Sequence, residues 1–307
     1  MTNEAKLMSM EEAVRKFVTD GAVIYLGGWA HLYPYSIVFE LIRQKKRDLT
    51  LVKHSPELMA DMLIGAGCVR KLLFGWVGNA GIGSCHAFRR AVEKGIPRSV
   101  EIEEYTHFSL GARLKAGAMG IPFLPTKSLI GSDLVKYNQV AMIMTCPFTR
   151  ENVCVVPAIN PDVGLIHVQK ADAQGNAQVW GVIGDTKDGA FASNKLVLSA
   201  EQIVPTEEIR RDPNRTVVPS FKVSAVVEQP WGAHPSYAQG YYDRDNDFYV
   251  DYDKWTREPE GFERFLTEWI YSGTDNSDYL KKLGADRMQR LKPRPFMSSS
   301  VNFGLYG

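Results

Sequence analysis

The sequence lacks several features that would assign it to a specialised class of protein. Its 307 residues contain only four cysteines, Cys68, Cys85, Cys146 and Cys154. They form no CxxC pair, and none lies with histidine at the spacing of metal ligands. We therefore expect no disulfide framework and no bound metal, and we expect the thiols to be reduced.

An excess of one charge and a long apolar run are also missing. The chain has 36 lysines and arginines against 35 aspartates and glutamates, which gives a formal net charge of +1. Because no basic patch stands out, nucleic acid is not an expected partner. No apolar run could span a bilayer, and the first residues, Met1 to Lys6, are too polar for a signal peptide. These absences favour a cytoplasmic protein that is not bound to a membrane.

In the first half of the chain, strand-like and helix-like segments alternate. Short apolar runs predict strands at 22–26, 49–53, 71–76 and 100–105, and helical spacing predicts helices at 9–19, 35–45, 61–66, 85–95 and 109–117. Ser9 is the expected N-cap of the first helix. Such alternation is typical of βαβ units, so the expected fold is α/β, with an open, mostly parallel sheet flanked by helices.

The second half has further strand-like runs, joined by loops rich in Gly, Pro and Asp. Strands are predicted at 153–156, 163–168, 195–198 and 222–227, and helices at 261–271 and 275–291. No linker interrupts the pattern, which predicts a single domain over residues 1–307 with a helical and Pro-rich C-terminal extension from about residue 256. Strands that end in such loops bring them to one edge of a parallel sheet, where open α/β proteins bind their ligands.

The order of several short blocks carries a resemblance to a known family. The blocks are Leu-Gly-Gly-Trp at 26–29, Gly-Ile-Pro-Phe-Leu-Pro at 120–125, Ile-His-Val-Gln at 166–169, Glu-Glu-Ile-Arg-Arg-Asp-Pro at 207–213, Gly-Ala-His-Pro-Ser at 232–236, Tyr-Tyr-Asp-Arg-Asp-Asn at 241–246 and Tyr-Leu-Lys-Lys-Leu-Gly-Ala at 279–285. In this order, over almost the whole chain, they resemble the alpha subunit of the glutaconate CoA-transferase type, within the family I CoA-transferases.

The resemblance implies a fold of the CoA-transferase type (NagB/RpiA-like) and a defined chemistry. In this family a glutamate carboxylate attacks an acyl-CoA thioester, and the anhydride so formed is converted to an enzyme-bound glutamyl-CoA thioester before CoA passes to a second acid. That glutamate belongs to the partner beta (B) subunit, in a Ser-Glu-Asn-Gly-like turn. This chain has no such turn, because Glu93 and Glu258, which lie near glycine, are at predicted helix ends.

The resemblance therefore implies an alpha (A) subunit that is active only with a beta subunit. Its substrates would be a coenzyme A thioester and a small carboxylic or dicarboxylic acid, with no permanently bound cofactor. A second hypothesis is that the same scaffold serves an acyl-CoA decarboxylase or a ring-opening hydrolase, whose partner lacks the nucleophilic glutamate. A third is a non-catalytic protein that binds CoA or a partner, since fold alone does not prove activity.

Glycine-containing loops supply the candidates for binding substrate or CoA. Gly27 and Gly28 follow a predicted buried strand and precede a predicted helix, where exposed N–H groups hold an anion or oxyanion. The loop 79–84 contributes Asn79, Gly83 and Ser84. For Ser84 a plain helix N-cap is the competing interpretation. Ser132, in the loop after Pro125, could donate to a substrate carboxylate or form an ordinary turn.

The candidates for acid/base chemistry lie at the end of the strand 100–105. Neighbouring strand residues point to opposite faces, so only one of Glu103 and Glu104 can face a site, and we choose Glu104 together with His107. Solvated charges at a strand end, or contacts with the beta subunit, are the alternative interpretation.

Other polar and aromatic residues favour structural roles. His167 and His234 are expected in the core or at an interface, with chemistry as the alternative. Four arginines are candidates for gripping a substrate carboxylate, although most of them are expected on helix surfaces: Arg70, Arg89, Arg90 and Arg113. The aromatic stretch 237–255 predicts an exposed interface patch.

Overall fold

Two β-sheets and their covering helices make up the computed structural model, which describes residues 6–293. The helices are α1 Met10–Phe17, α2 Tyr35–Arg43, α3 Glu57–Gly65, α4 His86–Lys94, α5 His107–Met119, α6 Leu134–Tyr137, α7 Thr186–Ala192, α8 Thr206–Arg211, α9 Asn246–Trp255, α10 Pro259–Phe265, α11 Asn276–Leu283 and α12 Ala285–Leu291. The strands are β1 Val23–Leu26, β2 Leu49–Val52, β3 Val69–Phe74, β4 Glu101–Glu104, β5 Phe123–Thr126, β6 Met142–Thr145, β7 Asn152–Pro157, β8 Val163–Ala171, β9 Ala177–Gln178, β10 Lys195–Ile203, β11 Thr216–Val218 and β12 Ala225–Glu228.

The main sheet is mostly parallel, as the alternation of strands and helices predicts. Seven parallel strands run in the order β12-β10-β8-β1-β2-β3-β4, and β9 and β11 add an antiparallel extension beside β8. Strand β1 reads as a continuous apolar run, and β2 is interrupted only by Thr50, because both faces of these strands are covered. The fold class predicted from the sequence is therefore confirmed.

Helices cover the main sheet on both faces. One core packs α1 to α4 and the C-terminal aromatic residues against the sheet, and the other packs α5 and α7 against the opposite face. The chain winds from β1 toward β2 on one side, whereas β8 lies on the other side of β1. Such a change of direction opens a crevice at the carboxyl ends of the strands, where ligands bind in open α/β sheets.

Local sequence signals begin and end the helices that border this crevice. Thr106 and Ser109 form a capping box at the start of α5, and Gly120, at a φ of 67°, ends the helix. Ser9 caps α1 as predicted, because its Oγ accepts a hydrogen bond from the Glu12 amide at 3.2 Å. The predicted cap at Ser84 is wrong. Helix α4 begins at His86 with Cys85 in the N-cap position.

The sequence pattern predicted β7 but missed β5 and β6, which pair with it in a small antiparallel sheet of order β5-β7-β6. Its inner side packs on α5 through a minor core that includes Leu129, Cys154 and Val156. All four residues of β6 are exposed although three of them are apolar. An apolar strand that is exposed on both sides shows no alternation, so periodicity could not reveal it.

The C-terminal third corrects two further expectations. The aromatic stretch 237–255 does not form an exposed patch, because it enters α9 and buries Phe248, Tyr249 and Tyr252 in the core. The single helix expected at 275–291 is two helices, interrupted at Gly284, which has a φ of 85°. The helical part of the predicted extension is present, whereas most of its Pro-rich tail lies outside the described residues. A single domain stays a prediction.

Phe248 lies at the centre of the aromatic cluster that attaches this extension. Its ring centroid lies 5.1 Å from that of Trp269 and 5.7 Å from that of Trp255, and the side chain is fully buried. Replacing Phe248 by alanine leaves a cavity, so we expect Phe248→Ala to lower the free energy of unfolding by about 3–5 kcal/mol. Urea denaturation followed by circular dichroism measures this loss.

Phe221 provides the matched control, since its side chain is 81% exposed. Phe221→Ala should change the free energy of unfolding by no more than about 0.5 kcal/mol. Equal losses in the two variants would contradict the assignment of the aromatic stretch to the core.

Candidate active site

A buried ammonium group lies where the carboxyl ends of β1 and β2 meet the start of α7. The Lys53 side chain is completely inaccessible, and its Nζ donates to Asp185 Oδ1 at 2.7 Å and to the carbonyl oxygen of Gly28. The rings of Tyr25, Trp29 and Tyr33 surround it, with centroids 5.6–5.9 Å from Nζ. Aromatic faces and a carboxylate both stabilise a cation that water cannot reach.

Asp185 joins this cation to a histidine. Its Oδ1 accepts from Lys53, and its Oδ2 accepts from Nδ1 of His54. Burial alone would raise the pKa of Asp185, but the charge of Lys53 and the hydrogen bonds from His54 and Lys53 outweigh it and lower the pKa to about 2. Because an ionised carboxylate only accepts hydrogen bonds, Nδ1 of His54 carries the proton and Nε2 is the free position.

A cleft of about 680 Å³ opens beside this network. Its apolar walls include Trp29, Phe108, Leu124 and Pro125, and its polar lining residues are His54, His107, Lys115, Asp185 and Asp188. Strand β5 of the small sheet forms one wall. The volume lies within the range of small-molecule sites.

His107 is the one predicted acid/base candidate that lies in the cleft. Its Nε2 pairs with Ser55 Oγ at 2.7 Å, and its ring lies parallel to that of His54 with centroids 6.2 Å apart. Trp29 packs edge-on against both rings. Burial and the neighbouring His54 lower the pKa of His107, which favours the neutral ring.

Glu104 lies away from the cleft, on the outer edge strand β4. It borders a separate pocket of about 500 Å³ together with Glu103 and Tyr137. Glu103 is paired with Lys71 at 2.7 Å and with Arg113 at 2.9 Å. The structure thus brings His107 to the cleft but does not bring Glu104 there.

The predicted glycine loop at 27–28 borders the network, although not at a helix start. Helix α2 begins only at Tyr35, so the Gly27 and Gly28 amides do not lie at its N-terminus, and the role of this loop in binding stays a prediction. Instead the Gly28 amide donates to Thr186 Oγ1 at 3.1 Å while its carbonyl accepts from Lys53. Gly27 packs against Ile166, where a Cβ would come within 2.7 Å of a side-chain carbon.

The loop 79–84 and Ser132 lie outside the cleft lining. Asn79 is buried and donates to the carbonyl oxygen of Tyr249 at 3.0 Å, and a Cβ on Gly83 would lie 2.7 Å from Asp253. Ser84 precedes α4 and is partly exposed. Ser132 closes a local turn by donating to the Leu129 carbonyl at 2.8 Å. Roles of these residues in binding stay predictions.

The remaining histidines and arginines of the sequence analysis are held by protein groups. His167 is buried between Ser199 and Glu201, and His234 between Tyr279 and Asp245. The four arginines donate to protein oxygens: Arg70 to Thr50, Arg89 to Glu93, Arg90 to backbone carbonyls, and Arg113 to Glu103 and Pro157.

Sequence reasoning missed Lys53, His54 and Asp185. A signal was present, because Lys53 and His54 directly follow an apolar strand at the edge of the sheet that also carries Gly28. Asp185 was not recognisable, since it lies 132 residues from Lys53. Among residues 6–293, no group of three or more His, Cys, Asp or Glu side chains could hold a metal ion. Within the same residues, no helix has the length and apolar character needed to cross a membrane.

Fold and cleft together define an open α/β protein with a ligand site at the carboxyl edge of its parallel strands. The model of the coenzyme A transferase family matches residues 7–229. The chain belongs to this family, and the resemblance found in the sequence is confirmed.

Relatives match along nearly the whole chain. The chain is 44% identical over 279 residues to the A subunit of the 3-oxoadipate CoA-transferase of Pseudomonas knackmussii, covering 91% of this chain and 98% of the relative. The crystal structure of glutaconate coenzyme A-transferase from Acidaminococcus fermentans has a TM-score of 0.90 at 35% identity, covering 95% of this chain and 96% of that chain. The crystal structure of a variant of the decarboxylase AibA/AibB has a TM-score of 0.73 at 30% identity, covering 86% of this chain and 99% of that chain.

Asp185→Asn tests the buried network. The substitution leaves the Lys53 cation buried without its counter-charge, so we expect the free energy of unfolding at pH 7 to fall by about 3–5 kcal/mol. The folded-state pKa of Asp185 lies below its ordinary value of 3.8, so the stabilisation is present above that value and is lost as the pH falls toward about 2. The difference between wild type and variant should narrow over that range in urea denaturation.

The control is Asp133→Asn, which removes an exposed carboxylate paired with Lys136. We expect a change within about 0.5 kcal/mol. A loss at Asp185 no larger than at Asp133 would show that the network does not support the fold.

Proposed function

We propose that this chain is the alpha subunit of a two-subunit CoA-transferase that moves CoA between an acyl-CoA and a small carboxylic acid. The observation that carries the proposal is the full-length likeness to relatives that are named as the A subunits of CoA-transferases, at 44% and 35% identity. The coenzyme A thioester is then a substrate, and the partners are the acid and a beta subunit.

The cleft supports a division of the site between two chains. Within residues 6–293 its lining has two acidic side chains, Asp185 and Asp188, and no glutamate. Asp185 is already engaged by Lys53 and His54. A nucleophilic glutamate supplied by the beta subunit would complete the catalytic groups of the cleft. The glutamyl-CoA intermediate would then form on that partner.

This chain then contributes the pocket for the acyl group. Trp29, Phe108 and Leu124 offer apolar contacts to a short carbon chain, and His54 and His107 offer polar ones. Excluding water around a reactive anhydride protects it from hydrolysis. We place the protein in the cytoplasm, since its four scattered cysteines do not have the pattern of the disulfide framework of a secreted protein.

A second candidate function is the decarboxylation or hydrolysis of an acyl-CoA on the same scaffold. The likeness to the decarboxylase AibA/AibB at 30% identity favours it. The Asp185–His54 pair also has the arrangement by which a carboxylate orients a general base. In this case His107 is the more promising of the two predicted catalytic residues, since Glu104 lies outside the cleft.

Borohydride trapping of the covalent intermediate tests the proposal. The chain is co-expressed with a beta subunit, incubated with a panel of acyl-CoAs, treated with borohydride and measured by intact-mass spectrometry. Borohydride reduces a glutamyl-CoA thioester to an alcohol, so we expect no change of mass on this chain and a small decrease on the beta subunit. The same treatment without acyl-CoA should leave both masses unchanged.

Other outcomes count against the transferase. A change of mass on this chain would place the nucleophile here and contradict the proposed division of roles. Consumption of acyl-CoA without a change on either chain would support the decarboxylase or hydrolase.

A further inference from the structure

The free nitrogen of His54 is an open polar position in the wall of the cleft. Asp185 holds the proton on Nδ1, so Nε2 is the ring position open to a ligand, and it makes no hydrogen bond within residues 6–293. The side chain is nearly buried, with 4% of its surface exposed, and it lines the cleft. Helix α5 leaves room beside it, because a Cβ on Gly111 would lie 3.0 Å from Nε2.

The charges that face His54 come from three elements. Lys53, beyond β2, and Asp185, before α7, form a neutral pair behind the ring. His107 and Lys115 of α5 and Asp188 of α7 line the cleft in front of it. The charges of Lys53 and Asp185, behind the His54 ring, therefore cancel. An anion that enters the cleft in front of the ring then favours protonation of His54.

The other basic groups near the cleft fit the ligand less well. Lys53 Nζ is inaccessible and directs its hydrogen bonds to Asp185 and Gly28. The Nε2 of His107 is engaged by Ser55. Lys115 is exposed at the mouth of the cleft, where an ion pair contributes little.

We propose that His54 Nε2 binds a carboxylate oxygen of the acid substrate, and that the ring takes up a proton from solvent as the carboxylate enters. The imidazolium then donates one charge-assisted hydrogen bond to the carboxylate and one to Asp185. The identity of the ligand as a substrate acid rests on the proposed function. Asp185 and Lys53 are positioning residues, because they hold the ring from behind.

Proton-linked binding has a measurable signature. In the pH range where the His54 ring of the free protein is neutral, the affinity for a carboxylate should fall about tenfold for each pH unit, because one proton must be bound with the ligand. At lower pH, where the free ring already carries the proton, the affinity should no longer depend on pH.

Titration calorimetry of the assembled two-subunit protein measures the proton directly. Acetate, glutarate and adipate are titrated near pH 8 in two buffers of different ionisation enthalpy. We expect an uptake of close to one proton for each ligand bound. His54→Gln should abolish the uptake and weaken binding about tenfold or more, whereas His107→Gln should retain the uptake.

Gly111→Ala keeps His54 but places a methyl group against Nε2. Alanine is favoured over glycine inside a helix by about 1 kcal/mol, so the helix itself should tolerate the change. We expect weaker carboxylate binding from a folded protein, which circular dichroism verifies. This variant keeps the test decisive if His54→Gln does not fold.

Three results would overturn the inference: no binding of any of the acids by the wild type, binding without proton uptake, or uptake that survives in His54→Gln. CoA exchange is assayed in the same preparations. Exchange without proton-linked binding defeats this inference alone, and proton-linked binding without exchange defeats the transferase proposal alone.

Discussion

The buried ammonium group of Lys53 is the constraint on which the cleft depends. Removing a cation from water costs several kcal/mol unless it is paired and hydrogen-bonded. Lys53 meets this requirement with Asp185 and the Gly28 carbonyl, and so it ties the end of β2 to the loop after β1 and to the start of α7. Gly28 adopts a φ of 84°, and a Cβ there would lie 2.6 Å from the Leu32 carbonyl, so only glycine fits.

Much of the fold could be predicted because short stretches of the sequence determine the individual strands and helices. Buried parallel strands read as short apolar runs, and helices α1, α2 and α5 carry helical spacing together with caps or flanking prolines. Strands β5 and β6 of the small sheet and helix α9 could not be predicted in this way. Strand β6 shows no alternation, and the tyrosines of α9 have an apolar body with a polar tip, which suits either a surface or a core.

The location of the candidate site could be predicted from the sequence, but most of the residues that form it could not. Loops at the carboxyl edge of the sheet were the expected location, and His107 lies there. The network of Lys53, His54 and Asp185 was missed because it joins segments that are distant in sequence and that meet only in the folded protein. A carboxylate on a strand, such as Glu104, gives no sign in the sequence of whether it faces a cleft or the outer edge.

We regard this chain as one half of a CoA-transferase. The most direct test of this assignment is the transfer of CoA from an acyl-CoA to a free carboxylic acid, measured with each of the two chains by itself and with the two mixed. We expect exchange only in the mixture, with a rate that rises until the two chains are present in equal amounts. Exchange by this chain without its partner would contradict the assignment.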